Sequence, residues 1–230
     1  MTHASQAARP ARLIVVVGTG TGVGKTWAAA RLLTSARARG LHVAARKPVQ
    51  SFEPGSGATD AELLAAASGE HAEAVCPRHR WYAVPMAPPM ATECLGLPAV
   101  WLEDLVAEVA WPQDVDLGVL ETVGGLRSPL AEDADSFDLL RRCAPDEVLL
   151  VADAGLGTLN SVRLALGVLA PYRTTVLLNR FDPNDDLQRR NRDWLRSRDG
   201  VETITRVEAL LDGMQDQGTP GAAGSRDAGI

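Results

Sequence analysis

Leu13-Ile-Val-Val-Val17-Gly18-Thr-Gly-Thr-Gly-Val-Gly24-Lys25-Thr26 decides the fold. Leu13–Val17 is continuously apolar, the pattern of a strand covered on both faces. The glycine-rich turn that follows ends in Lys25, where a helical pattern begins and runs to Arg39 before Gly40 stops it. Glycines let the backbone close around phosphate oxygens, and successive N–H groups at a helix start favour anionic charge. Lys25 is placed to reach β- and γ-phosphates, and the Thr26 hydroxyl to ligate Mg²⁺. The usual loop has Gly or Ala where this chain has Thr19; Gly18 stands one place earlier, so the loop is a lengthened variant. A glycine-rich turn that holds no phosphate is the bland alternative.

Working outward, short apolar runs alternate with longer helical ones. Strands are predicted at Leu13–Val17, Val43–Arg46, Leu117–Glu121, Val148–Ala152, Thr174–Leu178 and Val201–Ile204. Helices are predicted at Lys25–Arg39, Asp60–Ala67, Val100–Val109, Phe137–Cys143, Leu159–Ala170 and Asp186–Arg198. This alternation implies one P-loop NTPase-like α/β domain over 13–212, a mainly parallel sheet with helices on both faces. Residues 1–12 read as a disordered extension and 213–230 as a flexible tail, having little to bury. In such sheets ligands gather beyond the carboxyl ends of the strands, where Lys47, Glu121, Asp153 and Asn179 fall.

Composition removes other classes. A net charge of −6, with 23 basic residues in no long run, argues against nonspecific nucleic-acid binding. Cys76, Cys94 and Cys143 are far apart and form no metal-ligand or disulfide pattern. The apolar run at 13–17 is too short for a signal-peptide core or a membrane span, so no membrane is expected and the cytoplasm is the expected compartment.

Four further segments carry a family resemblance. They are Lys47-Pro48-Val49-Gln50-Ser51, Thr59-Asp60-Ala61, Leu120-Glu121-Thr122-Val123-Gly124-Gly125 and Gly155-Leu156-Gly157-Thr158-Leu159-Asn160. With the phosphate loop they stand in the order found in dethiobiotin synthetases, and the chain resembles that family over roughly residues 13–180. The resemblance implies that 7,8-diaminopelargonate and CO₂ form a carbamate, ATP phosphorylates it, and the second amine closes a cyclic urea. It implies catalytic roles for Lys47, Lys25 and Thr21. It places nucleotide on Gly22, Val23, Gly24, Lys25, Thr26, Trp27, Asp60, Glu121, Thr122, Val123, Gly124, Asn179 and Arg180. Substrate falls to Lys47, Ser51, Gly157, Thr158, Leu159 and Asn160, and Mg²⁺, the only cofactor beside co-substrate ATP, to Thr26, Asp60 and Glu121. A homodimer with its active site at the interface is implied as well.

The residues allow plainer readings beside these. Thr59 with Glu62 spells a capping box, which makes Asp60 an ordinary first-turn acid. Trp81, Tyr82, Pro85, Met86, Pro88 and Pro89 read as a rigid packed loop or as a wall of the substrate pocket. Thr122 and Val123 stand where the family has glycine and alanine. Both are β-branched and poorly suited to positive φ, so a different loop path and a narrower pocket are expected. The alternatives are a related phosphoryl-transfer enzyme for another amine or diamine, and a nucleotide-binding switch protein. The signature lysine of partitioning ATPases is absent, its place being taken by Gly20.

Overall fold

The computed structural model describes residues 8–215. The chain opens with β1 (Arg12–Gly18), α1 (Lys25–Ala38), β2 (Val43–Arg46), β3 (Gln50–Ser51), α2 (Asp60–Ser68) and α3 (Ala72–Val75). It continues through β4 (Trp81–Tyr82), α4 (Pro88–Leu95), α5 (Leu102–Glu108), β5 (Leu117–Glu121), β6 (Pro129–Ala131), β7 (Ala134–Asp135) and α6 (Ser136–Cys143). β8 (Glu147–Asp153), α7 (Thr158–Leu169), β9 (Thr174–Asn179), α8 (Asp186–Ser197), β10 (Thr203–Ile204) and α9 (Glu208–Gln215) complete it.

Six strands form one sheet in the order β10-β9-β8-β1-β5-β2, and every pair is parallel. Side chains alternate across it, as the period of two along a strand requires. Leu13, Val15 and Val17 of β1 join one core with Leu150 of β8, Leu139 of α6 and Val162 of α7. Ile14 and Val16 face the other way, into a core with Leu32 of α1, Leu64 of α2 and Leu210 of α9. The two faces explain why these strands read as unbroken apolar runs. Two small ladders stand apart: β3 with β4, parallel, and β6 with β7, antiparallel.

Three features depart from expectation. Residues 8–12 of the supposed disordered extension are fixed: Arg9 pairs with Asp146 at 3.1 Å, Pro10 is buried, and β1 already begins at Arg12. Pro88 and Pro89 are not loop residues but the first turn of α4, where a missing N–H costs nothing. Helix α9 carries the chain to Gln215, past the expected start of the tail at 213; the rest of that tail lies outside the described residues.

Pro10 packs where β5 has Gly118. A Cβ at that position would overlap the Pro10 ring and stand 2.9 Å from the Trp111 indole. Gly118→Ala is therefore expected to lower stability by about 1–3 kcal/mol through overpacking, read as a lower urea midpoint with an unchanged slope.

Candidate active site

β1, β2, β5, β8 and β9 deliver their last residues to one edge of the sheet. At the centre, Gly18–Gly24 turns from β1 into α1. Gly22 and Gly24 take positive φ, 75° and 97°, a region that favours glycine. Gly24 serves as the N-cap of α1 and lies against the side chain of Asn179. The Asn179 amide donates to Val23 O at 2.9 Å. Beside it, Arg180 donates to Gly22 O at 2.7 Å and to Asp153 Oδ1 at 2.9 Å. Arg180 itself has a φ of 56°, a left-handed conformation in a non-glycine residue, and these two hydrogen bonds hold it there. The ends of β8 and β9 thus grip the loop from outside.

Lys25 points back over the loop and donates to Gly20 O at 3.1 Å and to Gly124 O at 2.6 Å. Burial first, then repulsion from Lys47, lowers its pKa to about 8 against the opposing pull of Glu121 and Asp60. An ammonium already desolvated in this way is poised for an anionic partner.

Lys47, just past β2, is buried. Its ammonium donates to Glu121 Oε1 at 2.7 Å and Thr122 O at 3.3 Å, and pairs with Asp60 Oδ2 at 2.7 Å. Burial alone would lower its pKa, but the two carboxylates reverse that and hold it protonated well above the ordinary lysine value. Asp60, where burial acts in the opposite sense, is kept below the usual carboxylate range by Lys47.

The capping box anticipated at Thr59 is formed, with Glu62 Oε2 accepting from Thr59 N at 2.7 Å. It orients α2 so that Asp60 reaches inward; helix-start acid and site acid are one residue in two roles.

Thr26 Oγ1 lies 2.9 Å from both Asp60 Oδ1 and Glu121 Oε1. A hydroxyl has one hydrogen and donates to only one of these oxygens at a time. Burial pushes the Glu121 carboxyl up, so this oxygen cluster is not fully satisfied by the chain's own charged groups. Glu121 Oε2, buried, has no partner among the described residues. Three hard oxygen ligands with an unmet acceptor beside them fit a divalent cation such as Mg²⁺.

These groups line a cavity of about 470 Å³ that also takes in Thr21, Ser51, Val123 and the segment Pro85–Pro88. Ser51 Oγ donates to Met86 O at 2.6 Å, which ties that wall together. Thr122 does not narrow the cavity: it is buried, with its hydroxyl 3.4 Å from Val16 O. Neither Thr122 nor Val123 takes positive φ; Gly124 does, at 56°, so the path feared to be strained passes through a glycine. Val123 is the one of the pair that faces the cavity.

Other expected site residues fall outside this cavity. Trp27 is 55% exposed on α1. Gly157, Thr158 and Leu159 do not line it, and Thr158 Oγ1 donates to Asp153 O at 2.6 Å. Asn160 lines a second cavity of about 500 Å³ between α7 and the phosphate loop, which shares Thr21, Ser128 and Pro129 with the first. The loop-bracing contacts of Asn179 and Arg180 were not expected, since a contact between strand ends has no sequence spacing to betray it.

Comparison with known proteins joins this geometry to a lineage. A model of the AAA domain family matches residues 12–216. ATP-dependent dethiobiotin synthetase BioD of Anaeromyxobacter dehalogenans (strain 2CP-C) is 38% identical over 180 residues, 76% of this chain and 79% of the relative. The chain belongs to the ATP-dependent dethiobiotin synthetase family. BioD of Caulobacter vibrioides (strain NA1000 / CB15N) is 38% identical over 161 residues, 68% of this chain and 73% of the relative. BioD of Rhodococcus jostii (strain RHA1) is 34% identical over 202 residues, covering 86% of both chains. Among solved structures, a putative plasmid partition protein from Borrelia burgdorferi B31, bound to AMPPNP, is similar in fold alone. It has a TM-score of 0.54 and 12% identity, covering 91% of this chain and 100% of that one. Chloroplast FtsY from Physcomitrella patens has a TM-score of 0.50 at 20% identity; this chain spans 58% of its length.

The grip of Asn179 on the phosphate loop leaves no room for a side chain at position 24. Gly24→Ala combines that clash with a positive φ costing about 1–2 kcal/mol, and is expected to weaken MgATP binding at least tenfold. Titration with a fluorescent ATP analogue measures it, circular dichroism showing the fold retained.

Proposed function

We propose that this protein carries out the reaction its relatives are named for, closing 7,8-diaminopelargonate and CO₂ into dethiobiotin at the expense of ATP. The observation that supports it most is the buried Lys47 ammonium, held beside the phosphate loop on the wall of a cavity roomy enough for a small second substrate. Catalysis of phosphoryl transfer is largely positioning and charge stabilisation, and a fixed cation between the phosphate site and the second substrate supplies both.

One amine of the substrate adds to CO₂ and loses a proton, giving a carbamate. A carbamate oxygen attacks the γ-phosphorus as ADP leaves, forming a carbamic–phosphoric anhydride. The second amine attacks the carbonyl carbon, loses its proton and expels phosphate, which closes the urea ring. Lys47 orients the carbamate and opposes charge on the transferring group. Lys25 and the loop amides hold the phosphates, with Thr21 over them. Thr26, Asp60 and Glu121 hold Mg²⁺, which when bound neutralises phosphate charge. Ser51, on the wall of the same cavity, falls to the diamine.

The substrate's distal carboxylate falls to the turn Gly157–Asn160, whose first helical amides lack intrahelical partners. That turn lies outside the cavity holding Lys47. Near it, Leu156 is 91% and Leu164 67% exposed, which supports a homodimer in which the turn completes a partner's site. Among the described residues no helix is long and apolar enough to cross a membrane, and we place the protein in the cytoplasm.

Phosphate release with MgATP, bicarbonate and the diamine tests this reading. Wild type is expected to give diamine-dependent release and a cyclic urea by mass spectrometry, and Lys47→Ala to cut that rate by about 10²–10³. Tight nucleotide binding without diamine-dependent release would leave a phosphoryl-transfer enzyme for another amine or the nucleotide switch.

A further inference from the structure

Two residues that line the cavity each carry a buried hydrogen-bonding atom left unmet, and the two atoms are of opposite kind. Glu121 Oε2 is an acceptor without a donor, and Gln50 Nε2 is a donor without an acceptor, among the described residues. The first belongs to the cation site already described. The second has no role in anything derived so far.

Gln50 opens β3, three residues after Lys47, and is 1% exposed. Its Oε1 accepts from the backbone N–H of Ala61 at 2.9 Å. A peptide N–H can only donate, so this bond fixes which end of the amide is oxygen and turns the nitrogen the other way. The side chain is therefore held by one end, on the residue next to Asp60, with two N–H hydrogens left over. A buried donor is costly to leave unmade and native proteins rarely tolerate one, except where a ligand or ordered water supplies the acceptor.

Gln50 lines the same cavity as Lys47, Ser51 and Met86. This part of the wall comes from the chain after β2 and before α4, and none of it is phosphate loop. Lys47 and Ser51, the residues given to the second substrate above, flank Gln50 in the chain, so an oxygen arriving there is assigned to that substrate.

We propose that Gln50 is a further substrate-binding residue, its amide nitrogen donating to a carbamate oxygen of the amine being activated. The inference rests on the reaction proposed above. Lys47 supplies charge to that group and Gln50 a directed hydrogen bond, so the pair fixes the plane of the carbamate as well as its position. A ligand lacking an oxygen there leaves the donor unmet and is selected against.

Two variants separate the ends of the amide. Gln50→Glu keeps an oxygen for the Ala61 N–H and removes the donor, whereas Gln50→Leu removes both. Each is expected to raise the KM for the diamine about tenfold, with the Kd for MgATP within about twofold of wild type. In ¹⁵N-labelled protein without nucleotide, diamine plus bicarbonate is expected to shift the side-chain NH₂ signals that Gln50→Leu removes. Wild-type KM in Gln50→Glu would overturn the proposal, because only the bond to Ala61 would then matter. A matching loss of MgATP affinity would overturn it too, making Gln50 a support for Asp60. Unmoved NH₂ signals count against it equally. Absence of diamine-dependent turnover in wild type sinks the reaction itself, whereas wild-type turnover with unaffected variants sinks only the role of Gln50.

Discussion

The ammonium of Lys47 sits where four elements meet, with three acceptors around it before any ligand enters. Glu121 ends β5, Asp60 opens α2, Thr122 begins the glycine loop, and Thr26 of α1 touches both acids. Removing one partner from a buried ion pair costs about 3–5 kcal/mol, since the partner left behind cannot recover its hydration. The carboxyl of Glu121, the buried acid of the two, is pushed up by burial and leans on the lysine most, whereas Asp60 keeps part of its hydration. The arrangement fixes the spacing of β2, β5 and α2 around the phosphate loop, and keeps the site's charges nearly balanced before any ligand enters.

That balance bears on how nucleotide is received. The phosphate loop does not stand by its own glycines; Asn179 and Arg180 hold its carbonyls from one side and Lys25 bridges it to Gly124 on the other. Backbone N–H groups held in this way can meet an anion without reorganising, and preorganised donors are worth more than mobile ones. Lys25 is the exception by design. Its bonds are to neutral carbonyls, weaker partners than phosphate, so it can exchange them as ligand enters.

Much of this was legible in the sequence because it is periodic or local. Five of the six sheet strands announce themselves as apolar runs since both faces are covered, β10 with its two half-buried residues being the exception, and the capping box at Thr59 needs only residues three apart. The site residues Lys25, Thr26, Lys47, Asp60 and Glu121 stand at strand ends or helix starts, where the fold must bring them together. What escaped was nonlocal or too short for a pattern. β3 and β4 have two residues each, and nothing in Gln50 tells of its bond to Ala61. Pro10 reads as part of a loose end until Gly118 is seen to leave a place for its ring.

The loop after β5 shows how a departure from a family's pattern can be harmless at one residue and consequential at its neighbour. Positive φ is confined to Gly124, where a side chain would also strike Ser128, so this glycine is irreplaceable on two counts. Thr122 turns inward beside Val16, and its β-branch suits the extended backbone that leaves a strand. Its hydroxyl is consumed by a backbone oxygen and offers the cavity nothing. Of Thr122 and Val123, only Val123 lines the cavity. Within this loop, a side chain larger than the alanine of the family pattern changes the cavity by lost volume and added apolar surface. A change of that kind tunes how closely an aliphatic substrate packs and leaves the charged chemistry around Lys47 untouched.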